Sequence, residues 1–455
     1  MSKNILLAPK AQELYEKLLL EQTQFFLSNK ENNKISESIY NPKLLASSFI
    51  PPAQIQTLRK TYGAEIVSAV LTQLDLQKQA FIKHGEELKN VLFLRTSLEQ
   101  STRYIISKIH AKRFIKSAPE KIGDLGCGVA IDTIGLCNAY LERKKVINDK
   151  QETAQTQSST KENLFSIKAY ELEEEVFEIA KHNLRHYDFA EVRNEDINSI
   201  DFEKENFTAV YADPARRKNG KRLMNPADWS PSLDTIYGWI KHCPNVGAKI
   251  APGIDYKFLH PDSETNWLSI NGELVEASIW FGDLKNHTGK TATVIKTDKY
   301  NKVTYSKTHS FDNNSTGPSQ EVETTDLPIA KNLYITEVDP AILRANGLSW
   351  VANKINGKLI SDNISYLVTQ ETCKNTDILP LIKQWEIIDY CNLKTKKINE
   401  LLQQHNIGSL EIKKRGTDIS PDILRKGLKL KGKEKSTIFL TRYDSKHIAL
   451  LAKQI

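Results

Sequence analysis

Asp124-Leu-Gly-Cys-Gly-Val-Ala-Ile-Asp132 is the stretch that decides the fold, because it joins a short strand pattern to a helix pattern. The strand pattern is KIGDLG and the helix pattern is AIDTIGLCNAYLERKK. Gly126 and Gly128 lack a Cβ and can adopt a positive φ, so the backbone of this turn can approach a ligand closely. In a doubly wound sheet the ligand lies outside the carboxyl ends of the strands, which is where this turn falls.

Three kinds of ligand can be compared against this turn. A phosphate loop needs Lys-Ser or Lys-Thr after its second glycine, and the sequence has neither here. A dinucleotide fingerprint needs a third glycine, and Ile131 stands in that place. Asp124 would also repel a pyrophosphate, whereas an acid suits a cation such as S-adenosylmethionine, which carries an amino group and a sulfonium. The alternative is a glycine turn that serves tight packing alone.

Strand and helix patterns alternate outward from this turn, as in a parallel sheet covered by helices on both faces. Three strand patterns follow, FSIKAYE, FTAVYADPA and GAKIAPG, and the first is succeeded by an amphipathic helix, LEEEVFEIAKHNLRHY. ASIWFG and TATVIKT are expected to close the sheet as a pair. The polar residues 148–163 lack periodicity and are interpreted as a surface loop. The predicted fold class is therefore α/β, with a doubly wound Rossmann-like sheet.

Two acids after the second and third strands are candidates for cofactor binding. Glu171 ends FSIKAYE, where a carboxylate can accept hydrogen bonds from both ribose hydroxyls. Taken alone, Glu171 could equally be a charge at a helix N-terminus. Asp196, in NEDI after the third strand, is a weaker candidate for the amino group of adenine. Cys127 lies inside the glycine turn, and we expect only its backbone to be used.

The fourth strand ends in Asp213-Pro214-Ala215-Arg216-Arg217, where a substrate-reading loop is expected. Asp213 can orient a nucleophile or take up a proton, and Pro214 stiffens the turn. Arg216 and Arg217 provide planar forks for phosphate or carboxylate, and Trp229 could stack on a base. Three further cations follow, Lys218, Lys221 and Arg222. The alternative is a helix-capping Asp with a solvated basic pair.

The composition is that of an ordinary globular protein. Of 455 residues, 40% are hydrophobic and 26% are charged, which excludes a wholly disordered chain, a collagen-like chain and a small disulfide scaffold. The net charge of +7 permits an anionic partner without requiring one. Five scattered cysteines and ten histidines without ligand spacing predict neither disulfides nor a metal site. The chain lacks a signal-like N-terminus and an 18-residue apolar window, so we expect a cytoplasmic protein without a membrane span.

The regions on either side of the sheet have different patterns. Helical periodicity predicts four helices in the N-terminal region, at Ala11–Phe26, Pro52–Tyr62, Ala64–Leu76 and Leu98–Ile115. The polar stretch Tyr300–Thr325 is interpreted as a linker. A helix is expected near Ala341–Leu348, and strands alternate with two helices after Trp385. Glu411–Lys435 holds nine Lys or Arg against four acids, which can neutralise phosphates or form a solvated helix face.

These motifs together resemble a bacterial family of class I S-adenosylmethionine-dependent methyltransferases with a THUMP-like C-terminal domain and a DPARR motif. The resemblance covers Leu98 to Arg442 and is carried by DLGCGVAID, AYELEEE, NEDI, YADPARR, NPADWSPSL, KIAPGID, GELVEASIWFG, VDPAILRANGL, LEIKKRGTDISPDILRKGLKLKG and STIFLTR. It implies a seven-stranded methyltransferase sheet. It also implies four regions: an N-terminal helical region (1–118), the methyltransferase domain (119–290), a ferredoxin-like module (291–375) and the THUMP-like domain (385–455).

The same resemblance implies S-adenosylmethionine as the cofactor. Its cofactor motif falls on Asp124, Gly126 and Gly128, its ribose acid on Glu171, and its acceptor motif on Asp213-Pro214. The motif DPARR departs from [DNS]-P-P-[FYW], in which an aromatic ring stacks on the target base. Methylation of an exocyclic amine would then need a ring from Tyr211 or Trp229. Cys243, which precedes a strand, is interpreted as a packing cysteine rather than a nucleophile.

The predicted function is methyl transfer from S-adenosylmethionine to RNA, either tRNA or rRNA. THUMP domains bind RNA, so the THUMP-like domain and its basic run favour an RNA partner by analogy. Asp213 would position the acceptor, and Arg216 and Arg217 would hold its anionic part. Two alternatives stay open: a methyltransferase acting on a small molecule or a protein, and a non-catalytic RNA-binding protein that retains S-adenosylmethionine.

Overall fold

The computed structural model describes residues 4–33, 50–88, 90–154, 165–218, 220–299, 301–311, 322–325, 328–444 and 446–455. The chain forms two compact units. The first unit comprises Met1–Ser263, Ser278–Asn286 and Asp298–Lys302, and the second comprises Glu264–Ala277, His287–Thr297 and Val303–Ile455. Both units contain helices as well as strands.

The first unit begins with helices, as the apolar periodicity predicts. They are α1 (Pro9–Asn33), α2 (Pro52–Tyr62), α3 (Ala64–His84), α4 (Arg95–Gln100) and α5 (Tyr104–Ser117). The prediction of one helix over Leu98–Ile115 is wrong, because the chain is extended at residues 101–103. Lys83 Nζ donates to the carbonyl oxygens of Leu98 (2.6 Å) and Glu99 (2.9 Å), which satisfies acceptors that a continuing helix would otherwise use.

Parallel strands form the sheet of the first unit. In chain order, the elements of this part of the first unit are β1 (Lys121–Leu125), α6 (Ile131–Ala154), β2 (Ser166–Tyr170), α7 (Glu174–Leu184), β3 (Ala190–Arg193), α8 (Phe202–Glu205), β4 (Ala209–Ala212), β5 (Arg217–Lys218), β6 (Lys221–Arg222), α9 (Leu233–Trp239) and β7 (Val246–Ile250). Of these strands, β5 and β6 form a separate two-stranded sheet. The order β3-β2-β1-β4-β7 places the first strand centrally, and each neighbouring pair is parallel. This is the doubly wound arrangement.

The interpretation of residues 148–163 as a loop is wrong over its first part, because α6 continues to Ala154. The added turns contain Lys150, Gln151, Glu152 and Ala154, all of which favour helix even where no apolar stripe is present. The rest of the predicted loop lies outside the described residues.

The strands β8 (Glu264–Ile270), β9 (Glu273–Trp280), β10 (Gly289–Thr297) and β11 (Val303–Phe311) come next. The predicted pairing of β9 with β10 is wrong, since β8 lies between them and pairs in parallel with β10. Alternating apolar residues do not predict strand β8, because it is polar. Its polar side chains form hydrogen bonds within the sheet instead: Thr291 Oγ1 donates to Glu264 Oε1 at 2.8 Å. The linker interpretation is also wrong over Val303–Phe311, which pairs antiparallel with β10.

The second unit also holds a seven-stranded sheet in the order β13-β14-β12-β15-β18-β17-β16. Its elements are β12 (Tyr334–Val338), α10 (Pro340–Arg344), α11 (Leu348–Ile355), β13 (Lys358–Ser361), β14 (Ile364–Thr369), β15 (Ile382–Asn392), α12 (Thr395–Gln404), β16 (Ile407–Lys414), α13 (Pro421–Lys426), β17 (Glu434–Tyr443) and β18 (Lys446–Gln454). The predicted helix Ala341–Leu348 is two helices, because Asn346 is left-handed at φ 65°. Successive residues of β17 pack into two different hydrophobic cores, so both faces of the sheet are covered at this strand.

Helix α6 packs closely on α5 at Gly135, which allows a stability prediction. A Cβ on Gly135 would lie 2.0 Å from Ser107 Oγ and 3.2 Å from Ser107 Cβ, whereas one on Gly238 in α9 meets no atom within 4 Å. We expect Gly135→Ala to lower the free energy of unfolding by about 1–3 kcal/mol. The matched variant Gly238→Ala should raise it by up to about 1 kcal/mol, since alanine favours helix. Urea unfolding distinguishes these outcomes, and equal effects of the two substitutions would contradict the close contact.

Candidate cofactor and acceptor site

Three carboxylates meet at the carboxyl edge of the first unit's sheet. Asp124 lies near the end of β1, where Ala169 of β2 and Tyr211 of β4 flank it in register. Glu171 follows β2 directly, and Asp213 follows β4. Parallel strands therefore bring together three acids that are far apart in the sequence.

The glycine turn leaves an open cradle beside these acids. Gly126 and Gly128 have φ values of 90° and 55°, the left-handed region that favours glycine. A Cβ on Gly126 would lie 3.4 Å from the carbonyl oxygen of Asp213, and one on Gly128 would meet no atom within 4 Å. The Cys127 amide donates to the carbonyl of Tyr170 at 2.9 Å. Burial raises the pKa of the Cys127 thiol, so this side chain stays protonated.

Asp124 is an acid held in an unfavourable environment. It is 1% exposed, and burial raises the pKa of its carboxyl to about 7. The Thr133 hydroxyl, which donates to Asp124 Oδ2, opposes this rise in pKa, whereas the charges of Asp213 and Glu171 add to it. A ligand that brings positive charge to this place would favour the ionised form of Asp124.

Glu171 is fixed by backbone donors on both of its oxygens. The amide of Gly128 donates to Oε2 at 3.1 Å, and the amide of Glu173 donates to Oε1 at 2.9 Å. Each carboxylate oxygen keeps a further lone pair for a ligand hydroxyl. Burial raises the pKa of Glu171. The side chain is thus oriented toward the glycine turn before any ligand arrives.

Asp196 lies in the loop that follows β3. It is exposed, and its Oδ1 accepts hydrogen bonds from the amide and side chain of Asn198, both at 2.9 Å. Its loop is tied to the site by Asn194, whose side chain donates to the carbonyls of Glu171 and Leu172. Asp196 therefore occupies the loop next to Glu171, with a turn-capping role of its own.

The segment after Asp213 is a basic hairpin, which we define as residues 216–218 and 220–222. Pro214 is buried, and Ala215 exchanges backbone hydrogen bonds with Ser230. Strands β5 and β6 then pair, with Arg217 opposite Arg222. Arg217 is exposed, whereas Arg216 is half-buried and its Nη1 has no hydrogen-bond partner among the described residues. A buried guanidinium nitrogen in this state suits an anionic ligand.

Trp229, which follows this hairpin in the chain, is buried. The side chain is 4% exposed, and its Nε1 donates to the carbonyl of Leu223 at 3.2 Å. Tyr211 is also buried, with its ring stacked near that of Trp280. In this arrangement both rings pack inside the protein, and neither presents a free face for stacking.

A polar ring that the sequence interpretation missed lies next to the three carboxylates. We define it by Asp213, Lys249, Thr102, Asp132, His110 and Tyr211. Lys249 Nζ is 2.9 Å from Asp213 Oδ2 and 3.2 Å from Thr102 Oγ1. Burial acts to raise the pKa of Asp132. The pairing with His110, the charge of Lys249 and a hydrogen bond to Thr102 outweigh burial, so the pKa of Asp132 is lowered.

The remaining contacts of the polar ring return to β4. His110 Nδ1 lies 3.2 Å from Asp132 Oδ1 and 3.1 Å from the hydroxyl of Tyr211. Tyr211 lies two residues before Asp213 in the chain, so the series of contacts that begins at Asp213 returns to the same segment. The sequence does contain the signals for two members, because Lys249 lies one residue before the end of β7 and Asp132 ends the glycine motif. Thr102 and His110 come from the helical region and carry no local signal.

Neither a metal-binding group nor a membrane-spanning helix is found among the described residues. No group of three or more His, Cys, Asp or Glu side chains there is arranged to hold a metal ion. Among the helices in the same part of the chain, none combines the length and apolar character needed to cross a membrane.

Comparison with known proteins bears on the C-terminal domain and on the fold. The family model described as THUMP domain-like matches residues 382–454, which confirms the THUMP-like C-terminal assignment. A crystal structure of a putative methyltransferase from Porphyromonas gingivalis W83 covers 96% of this chain and 98% of its own, with a TM-score of 0.63 and 20% identity. This likeness confirms the predicted doubly wound methyltransferase fold.

Two curated relatives come from strains of Mycobacterium tuberculosis. Both are named as uncharacterized S-adenosylmethionine-dependent methyltransferases and are 24% identical over 237 residues. The match spans 51% of this chain and 60% of each relative's length. The chain is thus similar to named methyltransferases over about half its length.

The raised pKa of Asp124 predicts a pH-dependent cost to stability. The folded protein keeps the Asp124 proton up to about pH 7, whereas the ordinary pKa is 3.8. Stability is therefore lost as pH rises between these two values, and the loss levels off above the higher one. We expect Asp124→Asn to be more stable than the wild type by a margin that grows from pH 5 to pH 7.5. Urea unfolding over this pH range measures the margin, and a constant margin would contradict the assignment.

Proposed function

We propose that this protein is an S-adenosylmethionine-dependent methyltransferase whose acceptor is RNA. One observation carries the proposal: a glycine turn with open space at Gly128 lies near the charges of Asp124, Glu171 and Asp213, and a hairpin rich in cations follows Asp213 in the chain. The cradle favours a cation and the hairpin favours an anion, so the two ligands have opposite charges. The five free cysteines agree with the reducing conditions of the cytoplasm, where we place the protein.

The residues of the cradle fit the proposed cofactor. When bound, S-adenosylmethionine supplies a methyl group on a positively charged sulfur. Gly126 and Gly128, which lack a Cβ, would let the cofactor approach the backbone of this turn, Cys127 would contribute its backbone alone, and Asp124 would provide the negative charge. Glu171, already oriented by two amides, would accept hydrogen bonds from the ribose hydroxyls. Asp196, in the loop beside Glu171, is assigned to the adenine edge.

The acceptor is assigned to the segment that follows β4. Asp213 would orient the nucleophile or take up its proton, and Pro214 would keep the turn rigid. Arg216 and Arg217 would hold the anionic part of the acceptor, and the buried Nη1 of Arg216 supports this role. Because Trp229 is buried and its Nε1 donates to the carbonyl of Leu223, directly after the hairpin, its role in the proposed function is to hold this segment in place.

An RNA acceptor is favoured by the character of the second unit, taken by itself. Its C-terminal part matches a THUMP domain-like model, and THUMP domains bind RNA. Seven of the nine Lys and Arg side chains in Glu411–Lys435 are exposed to solvent. The other two are half-buried, and Lys413, for example, pairs with Glu337 at 2.7 Å. The exposed cations are suited to a phosphate backbone.

The cofactor assignment predicts binding that depends on the charge of Asp124. Calorimetry with S-adenosylmethionine should detect one site whose affinity increases as pH rises through about 7, because only ionised Asp124 attracts the cation. Asp124→Asn should weaken binding by about tenfold to a hundredfold, as expected when a charged partner is lost. Asp188→Asn, at an exposed acid, is the matched control and should bind normally. The absence of heat with the wild type would disprove the assignment.

The acceptor assignment predicts that RNA methylation depends on the basic hairpin. Total RNA from cells that lack the protein should accept a labelled methyl group from S-adenosylmethionine in its presence. The triple variant R217E/K221E/R222E should lose this transfer and keep its cofactor affinity, since phosphate contacts are removed. The control variant R59E/K60E/K241E reverses three exposed cations elsewhere and should retain transfer.

The same assay separates the alternatives. Added salt should weaken the wild type's RNA binding steeply, and each phosphate contact removed should reduce the slope by about one. Label that appears in protein or small molecules of a cell extract, with none in RNA, would reject RNA as the acceptor. Cofactor binding without transfer to any cellular component would favour a non-catalytic role.

A further inference from the structure

The ammonium of Lys249, a member of the polar ring, contacts two regions of the first unit. It is 2.9 Å from Asp213 at the end of β4 and 3.2 Å from Thr102 in the segment between α4 and α5. Lys249 is only 8% exposed, so these contacts are sheltered from water. A buried ammonium persists only where its partners offset the cost of its desolvation. Its position is therefore determined by these partners.

We infer that Lys249 is a positioning residue that holds the Asp213 carboxylate in place for the methyl acceptor. The inference rests on the proposed function, because it assigns a role to a residue that contacts Asp213 and not the acceptor. The ammonium contacts Oδ2 of Asp213, and Oδ1 has no hydrogen-bond partner among the described side chains. One oxygen can then be fixed while the other accepts a hydrogen bond from the acceptor.

The charges around this pair explain why a cation is needed there. Asp124 on β1, Glu171 after β2 and Asp132 on α6 are all acids of the same carboxyl edge. Lys83 on α3 is the other nearby ammonium, and burial together with the charge of Lys249 lowers the pKa of Lys83 to about 8. Without Lys249, Asp213 would be repelled by neighbouring carboxylates and would lose its 2.9 Å contact.

The polar ring also gives the helical region a place in the site. Thr102 lies between α4 and α5, and His110 lies on α5. Through them, Lys249 is connected to Asp132 in the first turn of α6, directly after the glycine turn. Asp213 is thus linked to the cofactor turn by side chains from the helical region. Hydrogen-bonded networks of this kind hold their members in one arrangement.

Kinetics of one substitution series test the inference. Lys249→Met should lower the single-turnover rate of methyl transfer to total RNA by about a hundredfold, as expected for a misplaced group. Its calorimetric Kd for S-adenosylmethionine should stay close to the wild-type value, because the cradle is intact. Lys249→Arg should recover part of the rate, since it keeps the charge. Lys241→Met, at an exposed lysine, should behave as the wild type. A Lys249→Met rate equal to that of the wild type would overturn the inference.

A second measurement needs no acceptor and therefore separates the inference from the proposed function. Urea unfolding constants of the wild type, D213N, K249M and the double variant form a thermodynamic cycle. A sheltered pair should give a coupling of about tenfold or more, whereas exposed ion pairs reach about fivefold at most. The double variant removes both charges of the contact, so it should fold even if K249M does not.

The outcomes of the two measurements are distinct. A coupling factor near one would overturn the role of Lys249, whatever the acceptor is. A wild type that transfers no methyl group to RNA would reject the proposed acceptor, and the unfolding cycle would then decide on Lys249 alone. In the D213N background, K249M should lower any remaining rate no further, and an additional hundredfold loss would show that Lys249 does not act through Asp213.

Discussion

The burial of Asp124 is the constraint on which the rest of the site depends. A carboxyl group that is 1% exposed and lies near the charges of Asp132, Asp213 and Glu171 is costly to ionise, and its pKa of about 7 is the measure of that cost. A core selected for stability alone would not keep an acid there. The Thr133 hydroxyl reduces the cost without removing it. A cationic ligand would offset the rest of this ionisation cost. The free energy of unfolding that the protein loses by burying Asp124 would then contribute to its affinity for that ligand.

The sequence was sufficient for those parts of the site that consist of neighbouring residues. Gly126, Gly128 and Asp124 form one motif, and the acids Glu171 and Asp213 each end a strand whose pattern is clear. Helix α2 was likewise predicted with its observed bounds, because Pro52 begins it and Gly63 follows it. In each of these cases the physical cause lies within a few residues of its effect. Local turn chemistry and strand periodicity are therefore enough.

The parts that could not be predicted depend on contacts between distant residues. Lys249 bonds to Thr102 across 147 positions and to Asp213 across 36, and neither pairing follows from local pattern. The end of α4 depends on Lys83, which lies 15 positions before the carbonyl that it caps. Strand β8 was missed because Glu264 and Asn266 satisfy their polar groups inside the sheet. Stacking of Trp229 on a base is the expectation from the sequence, but its ring is buried and its Nε1 donates to the carbonyl of Leu223.

The opposite charges of the cradle and the basic hairpin have a consequence for how an acceptor would be presented. Asp213 and Arg216 are three residues apart, so the acidic and basic surfaces meet within a single turn of the chain. A phosphate is attracted to the hairpin and repelled by the carboxylates, whereas an uncharged base is not repelled by either surface. In the proposed function, the backbone of the RNA would therefore stay at the hairpin while a base entered the cradle. The same charges that favour the cofactor would then select which part of the acceptor reaches it.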